Sequence, residues 1–544
     1  MKLLLVIILS TLFITSYSNN TIYYIDAENG DDSNSGHSPN AAWAGLDKVN
    51  QTDFKPGDKV LLANGSKFNG SLILENCLGT IEQPIVFSNY ETEVRKEFPL
   101  IDAKGFANGI LVLNSSHIII SNIEITGNGG GVNTTKDAKK NMHCGVLLST
   151  SDIGTYENIQ LKNLAIHDVF FEAEGFKRGK DEVRTANGSQ SYGWGIRVIN
   201  SIDGAVIKDV LIENCEVTNV AHTGIKFTGR NKSIHNIKVY DNKVSETGGP
   251  GIQMSGVITG HVKNNHVNRS GSSNDSRKWG RGSGLWTWGS SDILIEHNSF
   301  RNANGPGDSA GCHIDFNCNN VVVQYCLSEN NAGGFCEILG NNYNCAYRYN
   351  ISINDGHRVK GENGAFQEGK IFWLSGFQGS GKKRNGPYNS YFYNNTIYVS
   401  KDIVAKIAVD RASSGVFIAN NIFYIEGESK AVKGDQYKPE TEGESRVENI
   451  FFKNNLYLKK ENWPEGILIQ DTNPVFGNPD YKNPGGNNPK DYTPQNIDLV
   501  KNRGIEIEKI LGDEIGLTIG LKVEKDYFGS PVQGAPDIGA IEIK

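Results

Sequence analysis

Between Gly195 and Glu337 the chain restarts one short extended phrase six times: Gly-Ile-Arg-Val-Ile, Gly-Ile-Lys-Phe-Thr, Gly-Ile-Gln-Met-Ser, Gly-Leu-Trp-Thr-Trp, Gly-Cys-His-Ile-Asp and Gly-Gly-Phe-Cys-Glu. The opening glycines, Gly195, Gly224, Gly251, Gly284, Gly311 and Gly333, follow one another at 29, 27, 33, 27 and 22 residues. That period is about one turn of a coil built from β-strands, so the chain folds as a solenoid. Side chains alternate along a strand, so the third and fifth residues of each phrase share a face. The first such column reads Arg197, Lys226, Gln253, Trp286, His313, Phe335, and the second Ile199, Thr228, Ser255, Trp288, Asp315, Glu337. The other face is apolar.

A second phrase, apolar-x-Asn-x-x-apolar, begins at Asn122 and recurs around Asn163, Asn214, Asn242, Asn265, Asn298, Asn350, Asn395, Asn421 and Asn455. Each copy is short, β-branched and followed by a polar turn, which reads as a strand ending in a tight corner. An Asn repeated at one corner can bond to its counterparts in the coils above and below, satisfying polar groups that no sheet ladder reaches. The predicted fold is all-β: a right-handed parallel β-helix, a single-stranded solenoid with capping segments at both ends and loop insertions. A propeller is disfavoured, because its blades repeat at about 40 residues with four hairpin strands each. The segments 127–142, 171–192, 268–282 and 355–387 break the rhythm and should leave the coil as loops, the natural walls of a cleft. The expected divisions are a signal peptide over 1–18, an amino-terminal cap with the first coils over 19–99, the β-helix over 100–460, and a carboxy-terminal capping tail over 461–544. The acidic run from Asp26 to Gly36 could be read as a calcium loop, but it lacks the closing Glu of an EF-hand, and Asx-turns account for it.

The formal net charge is −7 with no basic tract, which argues against nucleic acid as a partner. Met1-Lys2, a Leu/Ile/Val-rich run to Ile14 and then Ser16-Tyr17-Ser18 fit a cleaved export signal, and the apolar run is short for a membrane anchor. The expectation is therefore an exported protein, periplasmic or secreted, without a stable membrane span and monomeric. Eight cysteines in an exported chain suggest disulfides. Five of them, Cys312, Cys318, Cys326, Cys336 and Cys345, instead fall within one repeat region without C-x-x-C pairs, as buried thiols stacked along a coil would. No Cys/His spacing for a metal is present, and no cofactor is expected.

Asp315 lies between Ile314 and Phe316 and Glu337 between Cys336 and Ile338, so both carboxylates should point away from the interior. In one column on consecutive coils they would stand at roughly the 5–5.5 Å that retaining glycosidases use. Like-charge proximity should then leave one protonated beside an ionised partner. His313 joins this catalytic group. Trp286 and Trp288, one coil earlier, offer indole faces for sugar rings. Gln253, Lys226 and Arg197 continue the strip to a cationic end suited to a uronate carboxylate or a sulfate. His222, two residues before Gly224, could join, although a lone corner histidine is more often structural. Glu368 and Lys370 after the longest loop, and Asp410 with Arg411 one coil on, are further candidates for substrate contact.

The opening Tyr23-Tyr24-Ile25-Asp26 with Gly30-Asp31-Asp32-Ser33-Asn34-Ser35-Gly36, the run Lys55-Pro56-Gly57-Asp58-Lys59-Val60-Leu61-Leu62, the Asn ladder and the closing Pro536-Asp537-Ile538-Gly539-Ala540 together resemble exported right-handed β-helix proteins of polysaccharide-degrading bacteria, the pectate-lyase-like superfamily. The resemblance spans nearly all of the mature chain and implies the fold more specifically than the reaction, since such proteins include β-xylosidase-like and α-fucosidase-like hydrolases and pectate- or alginate-lyase-like enzymes. By analogy with the β-xylosidase-like members, Asp315 would be the nucleophile and Glu337 the acid/base. The expected function is hydrolysis of a plant or algal polysaccharide or oligosaccharide. The rivals are a polysaccharide lyase using Lys226 or Arg197 as base, in which case a calcium ion could take part, and a carbohydrate-binding β-helix without turnover.

Overall fold

The computed structural model describes residues 20–131, 142–185, 188, 191–432, 448–467 and 469–544. The export segment expected over 1–18 lies outside them, as does most of the break at 127–142. Strands stack into three parallel sheets of 14, 12 and 14 members, wound as a right-handed parallel β-helix. One turn runs, for example, from Ser291–Glu296 in the first sheet through Ser299–Arg301 in the third to Cys312–Ile314 in the second, and back to Asn319–Gln324 in the first. Ile, Val, Leu and Phe from all three sheets fill the interior without a break from Ile25 to Phe452.

The opening glycines have a steric cause. A Cβ on Gly195 would stand 2.3 Å from the Gly224 carbonyl oxygen, one on Gly251 2.8 Å from that of Gly284, and one on Gly284 2.3 Å from that of Gly311. Any side chain in this column would meet the backbone of the next coil, well inside van der Waals contact. Gly109 and Gly145 extend the column two coils earlier.

The asparagines form two columns where the sequence suggested one. Asn242, Asn265 and Asn298 stack inward, each Nδ2 donating to the next Oδ1 at 2.9 Å. Cys326 interrupts the stack, which resumes through Asn350, Asn395, Asn421 and Asn455 at the same spacing. Asn122, Asn163 and Asn214 belong instead to an outer column one residue earlier, with Asp241, Asn264, Asn394, Asn420 and Asn454. Its backbone is left-handed, φ +52 to +64 across those residues, a conformation Asn and Asp tolerate best among residues with a Cβ.

Leu46 and Val49 on the short helix Leu46–Asn50, with Trp43, pack onto the amino-terminal end of the core. Trp463 closes the other end against Phe372, Phe423 and Phe452. Beyond it the chain turns back along the outside of the coil. Ile510, Leu517 and Val523 pack on Tyr391 and Phe417 of the first sheet, and Tyr492, Val500 and Ile538 on Tyr398 and Tyr424 of the third. All eight cysteines are buried and free. In the acidic run, Asp26 Oδ1 accepts from the Glu28 and Asn29 amides and Asp31 Oδ1 from Ser33, which are Asx-turns. Among the described residues no helix is long and apolar enough to cross a membrane.

Candidate active site

The outer face of the second sheet carries a cleft of about 560 Å³. Its floor follows the strands Tyr192–Asn200, Ile225–Gly229, Ile252–Ser255, Leu285–Trp288, Cys312–Ile314 and Gly334–Ile338. The register places Arg197, Lys226, Gln253, Trp286 and His313 side by side, and Ile199, Thr228, Ser255 and Trp288 in the adjacent column. Asp315 and Glu337 both line the cleft, as do Trp286 and Trp288. Trp288 is 40 % exposed, so its indole stands open to the cleft. Long insertions precede the strands that begin at Tyr192 and Leu285. The 268–282 loop contributes Arg281, and the stretch after Leu374 contributes Phe377, Gly379 and Ser380 as a wall.

One coil departs from the expected columns. Ile314 pairs with Ile338, and Ala310 with Gly334. Glu337 therefore stands opposite His313, and the position opposite Asp315 is taken by Leu339. The ladder pairs Gly334 with Ala310, so neither Gly333 nor Gly334 stands opposite Gly311, and the glycine column ends there. Asp315 and Glu337 are thus diagonal neighbours, whose Cα atoms lie roughly 7–8 Å apart in a sheet. Phe335, expected on the outer strip, packs inside against Tyr347 at 5.3 Å.

Burial governs the charges. Asp315 is 8 % exposed, with Oδ1 accepting from the Phe316 amide at 2.8 Å, and loss of water pushes its carboxyl up to about 7. Burial likewise raises the Glu337 carboxyl, to about 8; the Lys370 charge opposes this, and the negative charges of Asp308 and Asp315 add to it. His313 Nδ1 lies 4.0 Å from Glu337 Oε2, beyond hydrogen-bond reach, and burial lowers the imidazole to about 4, so the ring is neutral.

A third carboxylate and its counter-ion were not singled out in the sequence. Asp308 lines the same cleft, and Arg281 Nε donates to its Oδ2 at 2.7 Å. Burial alone would raise Asp308, but the guanidinium overrides it and holds the carboxyl below its usual range. The backbone there is left-handed at two successive non-glycine residues, Asp308 at φ +48 and Ser309 at φ +65. Ser309 Oγ pins the turn to the Asn304 and Gly307 carbonyls, and the Asp308 amide donates to Gln367 Oε1 at 2.6 Å. Strain of this kind gathers at functional sites. Its sequence signal, Asn304-Gly-Pro-Gly-Asp-Ser309, is visible only as a turn.

The remaining candidates stand outside the cleft. His222 is buried between Trp194 and Trp279, with ring centres 4.0 and 4.6 Å away, and is a packing residue. Asp410 accepts from the Gly376 and Ala412 amides and pairs with Arg384, anchoring the loop after Leu374. Arg411 follows it in that turn and does not line the cleft. Glu368 pairs with Lys406 at 3.5 Å. Lys370 is buried with its Nζ 3.8 Å from the centre of the Trp373 ring and donating to the Glu368 carbonyl at 3.2 Å, and its charge lowers the Glu337 carboxyl. Among the described residues no group of three His, Cys, Asp or Glu side chains is placed to hold a metal ion.

No family model matches the chain. A lacto-N-biosidase of Bifidobacterium longum subsp. longum is 25 % identical over 638 aligned positions, which span 97 % of this chain and 37 % of that protein. The chain thus spans little more than a third of the length of this curated relative. Among solved structures, a GH136 lacto-N-biosidase from Eubacterium ramulus superposes with a TM-score of 0.54 at 22 % identity, covering 76 % of this chain and 68 % of that one. A rhamnogalacturonan lyase is similar at a TM-score of 0.42 and 13 % identity, over 74 % of this chain and 87 % of the other.

Proposed function

We propose that the protein is a glycoside hydrolase that cleaves an oligosaccharide in the cleft over the second sheet, through a retaining mechanism with Asp315 as nucleophile and Glu337 as acid/base. The observation that carries this reading is the convergence of buried carboxylates with different proton affinities beside two indole faces in one cleft. Burial raises both carboxyls, and in the proposed pair the charge resides on Asp315 and the proton on Glu337. The Asp315 carboxylate attacks the anomeric carbon while Glu337 gives its proton to the departing oxygen; Glu337 then takes a proton from water, which releases the sugar from Asp315. The diagonal register sets Asp315 and Glu337 further apart than the same-column pair expected from the sequence, so the anomeric configuration of the product decides the retaining course. Asp308, ionised and paired with Arg281, adds a fixed ion pair to the lining of the cleft. The relative aligned along 97 % of the chain bears a glycosidase's name, which supports the same reaction class.

The strained turn at Asp308 favours one alternative, in which Asp308 and not Glu337 is the partner of Asp315. Proton NMR of the first product tests the mechanism: retention of anomeric configuration is expected, and inversion would reduce Asp315 to activating water. Comparing Glu337→Gln with Asp308→Asn on a substrate with a good leaving group then assigns the acid, because loss of the acid is masked on such a substrate and loss of a fixed charge is not. A lyase would use Lys226, whose pKa burial lowers as a base requires. That reading predicts unsaturated, ultraviolet-absorbing products, which the hydrolase does not form. Export and a monomeric state belong to the same proposal and rest on the amino-terminal apolar run and the self-contained coil.

A further inference from the structure

The far end of the cleft holds polar groups that the hydrolytic chemistry does not use. Lys226 is 5 % exposed and borders the cleft, with its Nζ 4.9 Å from the centre of the buried Trp194 ring. Among the described residues no carboxylate is ion-paired with it. Arg197, its neighbour on the next strand, places its guanidinium carbon 4.2 Å from the same ring. On the other side Gln253 is 3 % exposed, and its Oε1 is buried without a hydrogen-bond partner, as is Thr228 Oγ1. A buried amine without an ion partner and a buried acceptor without a donor are both costly unless a ligand completes them. Stacked indole explains part of the arrangement through cation–π contact, but it offers nothing to Gln253.

We propose that Lys226, Arg197 and Gln253 form a subsite for an anionic substituent, a carboxylate or a sulfate ester, on a sugar removed from the one being cleaved. The anion accepts from Lys226 and Arg197, and a hydroxyl or amide N–H of the same sugar donates to Gln253 Oε1. Lys226 lies three strands from His313, about 14 Å along the coil axis at ~4.8 Å per strand. The anionic sugar is therefore not the one attacked by Asp315. The side chains between, Gln253 and Trp286, form a continuous floor for the intervening sugar. Burial and the Arg197 charge push the Lys226 pKa well down, so an arriving anion favours the ammonium and draws a proton into the site. The proposal rests on the cleft being a sugar site; it does not require turnover.

The test uses the full chain and ligand-observed NMR titration with D-glucuronate, N-acetylneuraminate, galactose 6-sulfate and neutral galactose. At least one anionic sugar should bind about tenfold or more tightly than galactose. Binding by the two carboxylates alone assigns a uronate or sialic acid, and binding by galactose 6-sulfate alone assigns a sulfate ester. Lys226→Met should erase the preference and Lys226→Arg should keep it, each with a melting temperature near wild type. Lys226→Gln replaces the Met variant if that does not fold. Equal binding of galactose and all three anions, or a preference that survives in folded Lys226→Met or Lys226→Gln, would overturn the proposal. Hydrolysis is assayed separately, so failure of the hydrolase reading leaves this result standing.

Discussion

Glu337→Gln separates catalysis from stability with opposite signs. The side chain is 10 % exposed, and burial lifts its carboxyl from an ordinary 4.5 to about 8. The folded protein keeps a proton that the unfolded chain releases between those values. This stabilisation is fully present below pH 4.5 and declines as pH rises toward 8. At ~1.36 kcal/mol per pH unit, the decline reaches on the order of 3 kcal/mol by pH 7. Gln has the same shape and no proton to lose, so the variant should gain on wild type as pH increases. Thermal melts should coincide near pH 4.5 and diverge by a few degrees in the variant's favour at pH 8. Over the same range kcat on an oligosaccharide should drop about 10²- to 10⁴-fold, and the alkaline limb of kcat/KM near pH 8 should disappear. A melting temperature lowered equally at every pH, or activity within about tenfold of wild type, would refute the assignment of a buried, protonated acid at 337.

Asp315→Asn should lower kcat by about 10⁴-fold and abolish the acid limb of the rate profile near pH 7, as read from initial rates of reducing-end release. Trp288→Ala should raise KM about fivefold with little change in kcat, the loss of roughly 1 kcal/mol of ring stacking. Arg281→Met leaves Asp308 buried without its counter-ion and should cost about 3–5 kcal/mol in denaturant unfolding at pH 7. Asp308 is held low by Arg281, so wild type draws this advantage above its unfolded pKa of 3.8 and loses it as pH falls through the lower folded value; the gap between the two proteins should narrow in acid. Asn265→Ala removes a rung of the inner ladder and strands the amides around it, which should cost about 1–3 kcal/mol and appear as a lower melting temperature.

Much of the fold is written in the chain because the steric demand is periodic. Glycine returns wherever one coil's Cα meets the carbonyl of the next, and both asparagine columns answer to the corner between the first and third sheets. The strip from Arg197 to His313 follows from alternation alone. What the pattern hides is a register shift: the expected pairing of Gly311 with Gly333 gives way to Ala310 with Gly334 and Ile314 with Ile338, a slip of two residues that keeps Glu337 on the correct face and misplaces it along the strand. Asn122 and Asn214 deceive in a similar way, since one residue separates the outer, left-handed column from the inner ladder. Asp308 could not be found from periodicity, because it enters the cleft from a non-repeating turn and its importance lies in backbone angles and in an arginine contributed by a loop 27 residues away. His222, Glu368 and Asp410 have suitable chemistry but stand in packing or loop contacts outside the cleft, a distinction that resides in tertiary contact.

The central claim is that carboxylates in this cleft break a glycosidic bond. Its most direct test is release of new reducing ends from a panel of oligosaccharides by the full chain, with Asp315→Asn assayed beside it at pH 7 to 8. Wild type should release sugar from at least one member and the folded variant should be slower by about 10⁴-fold. Cleavage by Asp315→Asn at the wild-type rate would contradict the account.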